Sequence, residues 1–390
     1  MLGPRVTFLA VVTGIAALVH AYFWLRLVRA PAWAPRWRRR LTVALLVLTL
    51  AVPAGFAAWQ IVGPRTALPV TWIGSTWAGV LFLLFFLLLL ADVLLLVAWV
   101  LRRTVKGPLV PDLDRRRLLA RSVAGAAGFS ALGLAGVGVA SAASPPGVER
   151  IRVPIRRLPK AFEGFRIVQL SDMHVGPILR RPFVEDVVAR TNALKPDLVA
   201  VTGDLVDGSV EQLSDAVAPL ASLVAPHGTL FTTGNHEYYM GVDPWLDHLR
   251  SLGLRVLRNE RVEIRRGDAA IDVAGIDDWG ARRFGGGHGP DLDRALAGRD
   301  PDRPVVLLAH QPRQVGDARR LGVDLQLSGH THGGQIAPFG IFVALVQPAV
   351  KGLHWFEPTW LYVHRGTGTW GPPMRLGNPA EITVVELTRA

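Results

Sequence analysis

The chain has 390 residues, half of them hydrophobic, and a mean hydropathy of +0.30, high for a soluble protein. Its net charge of +12 is local: residues 1–144 carry 15 Lys+Arg against 3 Asp+Glu, whereas 145–390 carry 28 of each. A basic excess beside apolar segments reads as membrane topology rather than nucleic-acid binding, and the absence of cysteine excludes disulfide scaffolds, zinc ribbons and thiol catalysis.

In chain order, Val6 to Leu25, Leu41 to Val62 and Trp72 to Leu101 are long and apolar enough to span a bilayer. The third has 30 residues, more than a span needs, so tilt or protrusion is expected. Six arginines lie between Arg26 and Arg40 and seven Lys+Arg between Arg102 and Arg121, against only Arg5 and Arg65 at the opposite ends. This positive-inside bias places both basic loops in the cytoplasm. Residues 1–121 are thus expected to form an all-α transmembrane module of three spans.

Residues 122–143 are rich in Ala and Gly and have two readings. One is a fourth span. The other is a twin-arginine-like export signal, because Asp114-Arg115-Arg116-Arg117-Leu118-Leu119 precedes the stretch and Ala140-Ser141-Ala142 resembles a cleavage site. Both put the chain beyond Ala143 outside the cytoplasm. Asp92 and His20 lie within the spans, where the simplest expectation is pairing inside a helix bundle. Residues 144–164, opening with Ser144-Pro145-Pro146-Gly147, read as a linker.

From 165 to 390 short apolar runs alternate with helical patterns, which predicts an α/β domain. Strands are expected at Arg166 to Leu170, Asp197 to Val201, Thr229 to Thr232, Val305 to Ala309 and Asp324 to Leu327, with helices at Pro182 to Leu194 and Val210 to Leu223. Each strand ends in a polar residue, and open α/β sheets bind ligands beyond the carboxyl ends of their strands. The groups so placed are Asp172-x-His174, Gly203-Asp204-x-x-Asp207, Gly234-Asn235-His236-Glu237, His310 and Gly329-His330-x-His332. Oxygen and imidazole donors without sulfur suit Mn, Fe or Zn better than Ca or Mg. Ligands from several strands can hold two ions about 3.5–4 Å apart if a carboxylate bridges them. Glu237 reads as a turn or supporting group. Arg365 and Arg375 have two readings, phosphate contact or surface salt bridge. Gly285-Gly286-Gly287-His288-Gly289 lacks the strand-to-helix setting of a dinucleotide loop and reads as a flexible loop near the site. His227, His248, His288, His354 and His364 read as surface or packing residues.

The five motifs, in this order, resemble the calcineurin-like metallophosphoesterase superfamily. Gly329-His330-Thr331-His332-Gly333-Gly334-Gln335, with Arg365-Gly366-x-Gly368-Thr369 and Pro373-x-Arg375 after it, resembles the branch of membrane-associated or exported bacterial phosphoesterases. The resemblance implies a four-layer αββα sandwich and hydrolysis of a phosphate ester or anhydride by metal-activated water. It assigns Asp172, His174 and His332 to one divalent ion, Asn235, His310 and His330 to a second, and Asp204 to a bridge between them. His236 would contact phosphate and protonate the leaving oxygen, with Asp207 as its carboxylate partner.

The expected setting is a bacterial cell membrane with the catalytic domain outside. The anchor motivates the narrower expectation of a lipid-linked or cell-envelope phosphate as substrate. The neutral charge of 145–390 argues against nucleic acid as a partner. The rival readings are a membrane transporter or sensor carrying a metal-binding domain, and a nucleotide or nucleic-acid phosphodiesterase.

Overall fold

The computed structural model describes residues 4–62, 64–106 and 113–390. The chain divides into two compact units, the first made mainly of residues up to Ala140 and the second beginning at Ser141.

The first unit is helical: α1 (Pro4–Phe23), which continues as a wider π-helical turn over Trp24–Arg29, α2 (Pro35–Val62), α3 (Pro64–Lys106) and α4 (Leu113–Ala143). All four contain a stretch long and apolar enough to cross a membrane. At 43 residues α3 is about 65 Å long at 1.5 Å per residue, roughly twice the thickness of a bilayer's hydrocarbon core. The span expected from Trp72 to Leu101 lies within this helix, which extends past it at both ends and begins at Pro64, with Pro69 inside. Pro is tolerated at a helix start and, in a membrane bundle, further in. Gly55 of α2 and Gly74 of α3 touch, and a Cβ on either would strike the other backbone. Small residues at such a crossing are how apolar helices pack when water no longer drives them together. The basic stretch 102–121 includes residues 107–112, which lie outside the described residues.

The second unit has two six-stranded sheets. Its elements in order are β1 (Gly147–Ile155), β2 (Phe165–Leu170), α5 (Arg181–Ala193), β3 (Leu198–Thr202), α6 (Val210–Val217), β4 (Thr229–Thr232), α7 (Asn235–Met240), α8 (Val242–Ser251), β5 (Arg255–Val256), β6 (Glu260–Arg266), β7 (Ala269–Gly275), α9 (Leu292–Ala295), β8 (Val305–Leu308), α10 (Val315–Arg320), β9 (Leu325–Ser328), α11 (Gly340–Ala344), β10 (Gly352–Phe356), β11 (Thr359–Val363) and β12 (Glu381–Arg389). The first sheet runs β1-β12-β2-β3-β4-β5 and the second β10-β11-β9-β8-β7-β6. One buried cluster joins them: Phe165, Ile167, Leu198, Ala200 and Leu230 from the first sheet meet Ile271, Val273, Val306, Leu308, Leu325 and Leu327 from the second. Each such side chain, moved from water to this core, contributes about 1.5–3 kcal/mol before entropy is counted.

Residues 144–164, expected to be a linker, are not one. Gly147–Ile155 is an edge strand, parallel to β12 in unbroken register from Gly147 opposite Glu381 to Ile155 opposite Arg389. Its first four residues are exposed and its partner is the far end of the chain, so neither burial pattern nor a neighbouring turn marks it. The parallel strands β2, β3 and β4 match the expected ones to within a residue. Parallel alignment is what sends their carboxyl ends, and the motifs after them, to one edge.

Candidate metal centre

The motifs converge. Three donor groups form among the described residues, Asp172 with His174 and His332, Asp204 with His310 and His330, and His174 with Asp207 and His236; the ligand atoms within each lie within 4.8 Å of one another. Asp204 Oδ2 stands between the first two, 3.1 Å from His310 Nε2 and 3.9 Å from His174 Nε2. His174 Nε2 and His332 Nε2 face each other at 3.0 Å.

Tight turns aim these side chains. Asp172, His174, Asp204, His330 and His332 all have φ between 46° and 70°, a left-handed conformation that non-glycine residues seldom hold and that clusters at functional sites. Backbone bonds tie the turns together: Asp172 N–H donates to Gly203 O at 3.0 Å and His174 N–H to Asp204 O at 3.1 Å. Gly234 and Gly329 are demanded by close approach. A Cβ on Gly234 would collide with Asp204 and one on Gly329 with Ser171 and Asp172.

The hydrogen bonds also settle which atoms face inward. His310 Nδ1 bonds Thr202 O at 2.7 Å, so Nδ1 carries the proton and Nε2 points at Asp204. His236 and His174 turn their Nδ1 atoms to one oxygen of Asp207, at 2.6 and 3.0 Å, leaving both Nε2 atoms for the centre. Asp204 Oδ1 is occupied by the His236 N–H at 2.8 Å, which leaves Oδ2 free to ligate.

Electrostatics follow from burial and proximity. Burial opposes charge on Asp204, but the His310, His236 and His174 charges outweigh it and hold its carboxyl well below the ordinary range. Burial likewise disfavours charge on His236, yet Asp204 and Asp207 raise it to about 9. Burial and the His310 charge push His330 down to about 3, which leaves a neutral imidazole fit to ligate. The donor set fits divalent ions. Asn235 Oδ1 is buried with no hydrogen-bond partner, and burial lowers His330 and His332 so that both offer neutral imidazoles beside Asp172 and Asp204.

Glu237 is the supporting group that the sequence suggested, and the structure gives its partners. Its buried carboxylate accepts from Asp204 N–H at 3.1 Å, Leu205 N–H at 2.8 Å and Gly234 N–H at 2.7 Å, so it ties the Asp204 turn to the Asn235 turn. Burial and the Asp204 charge raise it to about 7. Asp278 was not singled out from sequence at all. It is fully buried after β7 and accepts from Gly280 N–H at 2.7 Å and Gln311 Nε2 at 3.0 Å, beside His310. The signal was present, since the short apolar run Val273 to Ile276 ends in Asp277-Asp278, the same strand-then-acid pattern as the other motifs.

The donors of the two arginines are engaged within the protein, although Arg375 lies close enough to His332 and Asp172 to act on their charges. Arg375 is buried and all its donors go to main-chain oxygens, of Gly368 at 3.0 Å, Arg365 at 2.9 Å, Asn378 at 3.0 Å and Gly366 at 3.1 Å. It shapes a turn that braces the first metal loop, where Thr367 N–H meets Ser171 O at 2.7 Å and Gly368 N–H meets Asp172 O at 2.9 Å. Arg365 pairs with Glu381 and with Glu149 at 3.0 Å. The glycine loop 285–289, expected to be flexible, is held: Gly289 N–H donates to Asp277 at 3.1 Å, and Arg258 bridges Asp277 and His288.

Residues 165–334 match the calcineurin-like phosphoesterase family model. A bovine protein named "Transmembrane protein with metallophosphoesterase domain" is 43% identical over 295 residues, 73% of this chain and 66% of that one. An "Uncharacterized metallophosphoesterase" of Helicobacter pylori (strain ATCC 700392 / 26695) is 42% identical over 232 residues, 59% of this chain and 61% of that one. Another of that name, from Aquifex aeolicus (strain VF5), is 39% identical over 242 residues, 62% of this chain and 91% of that one. Fold and strand-end ligands thus define a metallophosphoesterase domain preceded by helices apolar enough to span a membrane. The chain belongs to the calcineurin-like phosphoesterase family. It spans just under two thirds of the bovine and Helicobacter relatives.

Proposed function

We propose that this chain is a membrane-anchored phosphoesterase that uses two divalent ions, Mn, Fe or Zn, to hydrolyse a phosphate ester or anhydride. The observation that carries the reading is the place of Asp204 Oδ2 between His310 on one side and His174 on the other. Asp172, His174 and His332 hold one ion, Asn235, His310 and His330 the other, and Asp204 both. When bound, such ions lower the pKa of water and neutralise phosphoryl oxygens. His236 contacts the phosphate through Nε2 and protonates the leaving oxygen. Asp207 meets its Nδ1 at 2.6 Å and fixes the ring.

The positive-inside bias supports a domain outside the cytoplasm of a bacterial cell, whether 122–143 is a retained span or a twin-arginine signal cut at Ala142. The anchor supports a lipid-linked or cell-envelope phosphate as substrate, and the neutral domain speaks against polynucleotides.

The test is hydrolysis of bis-p-nitrophenyl phosphate by the purified full chain with Mn, beside Asp204→Asn. We expect the wild type to turn over and the variant to lose about 10³-fold or more. A metal-loaded wild type with no activity on this probe, on the monoester or on lipid phosphates would reject the reading. In the same chain Val224→Cys, the sole cysteine, should react with a membrane-impermeant maleimide in intact cells. Reaction only after lysis would reject the topology.

A further inference from the structure

Directly after the run that carries His330 and His332, the chain enters fifteen residues, 336–350, without one charged side chain. A run of that kind is ordinarily buried. Here Ile341 is 65% exposed, Leu345 78% and Val346 63%, with Phe339 and Phe342 each at 44%. These five large apolar side chains fall within eight residues around α11. Single exposed apolar residues are unremarkable on a protein surface, but a contiguous patch marks an interaction site.

The patch is rigidly held. Thr331 Oγ1 donates to Val350 O at 2.6 Å, Ala337 N–H to Leu376 O at 3.0 Å, and Arg313 to Val346 O at 2.9 Å. It is also continuous with the metal centre. Gln335 exchanges two hydrogen bonds with the Trp370 main chain, at 2.9 and 3.0 Å. The Trp370 ring is 46% exposed and stands 5.9 Å from the His236 ring. Tyr239, 51% exposed, stands 5.4 Å from His236 on its own helix.

We propose that residues 339–346, with Trp370, form a docking face that enters the headgroup–acyl boundary of a phospholipid bilayer and seats the mouth of the metal centre against it. The proposal rests on the phosphoesterase reading only for what the seated site then does. Aliphatic and aromatic side chains without charge are the composition that partitions into that boundary, and Trp and Tyr favour its polar edge. Arg313, which bonds Val346 O, and Lys351, directly after the run, suit anionic headgroups. A bilayer is also the surface this chain always has within reach. It carries four helices apolar enough to cross one, and three residues separate the end of α4 from the start of β1.

The test uses the absence of native cysteine. Leu345→Cys is labelled with bimane in the full chain and reconstituted into phosphatidylethanolamine–phosphatidylglycerol vesicles containing doxyl-labelled lipid. Val224→Cys, 68% exposed between α6 and β4, is the reference. We expect quenching of about twofold or more at 345 and little at 224, and a weaker effect at 345 when Ile341→Asp is added. No quenching at 345, or equal quenching at both positions, overturns the proposal. Shielding of 345 that follows protein density instead of doxyl lipid also overturns it, in favour of contact between copies. The fluorescence depends on neither metal nor turnover. A failed hydrolysis test with quenching intact would therefore reject the enzymatic reading alone.

Discussion

Two carboxylates in apolar surroundings, Asp92 in α3 and Asp204 after β3, show how differently the two units treat a buried polar group. Asp92 meets partners that answer it completely: Tyr22 donates to one oxygen at 2.8 Å and Arg26 pairs with the other. His20 is answered in the same way, by Trp77 Nε1 at 3.0 Å and by Ala16 O. In the sandwich the reverse holds. Asp204 Oδ2 and several imidazoles are crowded together by strained turns, and Asn235 Oδ1 and His332 Nδ1 are buried beside them with no hydrogen-bond partner. A protein bears strain and incomplete pairing at one place only when something else completes the set. Charge that is answered locally is architecture, and polar groups that converge with some left unpaired are chemistry. Substitutions at Glu237, Arg375 and the Asp92–Arg26 pair test that division.

The largest effect should come from Glu237, which sits on the boundary between the two kinds. It touches no expected ligand side chain, yet its carboxylate holds three N–H groups from the turns that carry Asp204 and Asn235. In Glu237→Gln one of the two oxygens becomes an NH2 that faces those donors. The turns should then separate by a few tenths of an ångström. We expect activity to fall by about 10–100-fold and the Mn concentration for half-maximal activity to rise, with excess Mn restoring part of the loss. A variant that melts lower but keeps the wild-type Mn dependence would make Glu237 purely structural.

Arg375 should have a smaller and different effect. Its guanidinium, lowered by burial to about 10, remains charged at neutral pH and serves four main-chain carbonyls. Arg375→Met leaves those acceptors bare, at a cost of about 3 kcal/mol or more, seen as a lower melting temperature. The KM of the molecules still folded should stay within about twofold, because the guanidinium meets backbone and no substrate. A raised KM with unchanged melting would restore the phosphate-contact reading of this residue.

Much of the site was legible in the sequence because function there is written in residue types that have no other reason to follow strands. Asp-x-His, Gly-Asp, Gly-Asn-His and Gly-His-x-His after successive apolar runs mark both the strands and the edge they share. What escaped did so for physical reasons. β1 pairs with a strand more than 200 residues away and exposes its first half, so no local pattern betrays it. The partners of Glu237 are backbone N–H groups, which carry no sequence signature. Arg375 had two readings in sequence, phosphate contact and surface salt bridge, and its capping of main-chain carbonyls was neither, because all three uses share the same guanidinium. The exposed run after Gln335 reads in sequence as core, and its exposure is purely a fact of three dimensions.

The smallest effect should come from the Asp92–Arg26 pair. Replacing Asp92 with Ala leaves Arg26 without its carboxylate in an apolar bundle. Breaking one side of a buried pair costs about 3–5 kcal/mol, while replacing both members by apolar side chains of similar volume is often neutral. This pair is only partly buried, with 26% and 32% of its two side chains exposed, so the single substitution should cost less than that range. The double variant Arg26→Met, Asp92→Leu should melt near the wild type in detergent. Both variants should hydrolyse bis-p-nitrophenyl phosphate within about twofold of the parent, because nothing in the chemistry draws on the pair. If the double variant kept its melting temperature but lost turnover, Asp92 would belong to a working path through the membrane, and charge answered locally would no longer mark architecture.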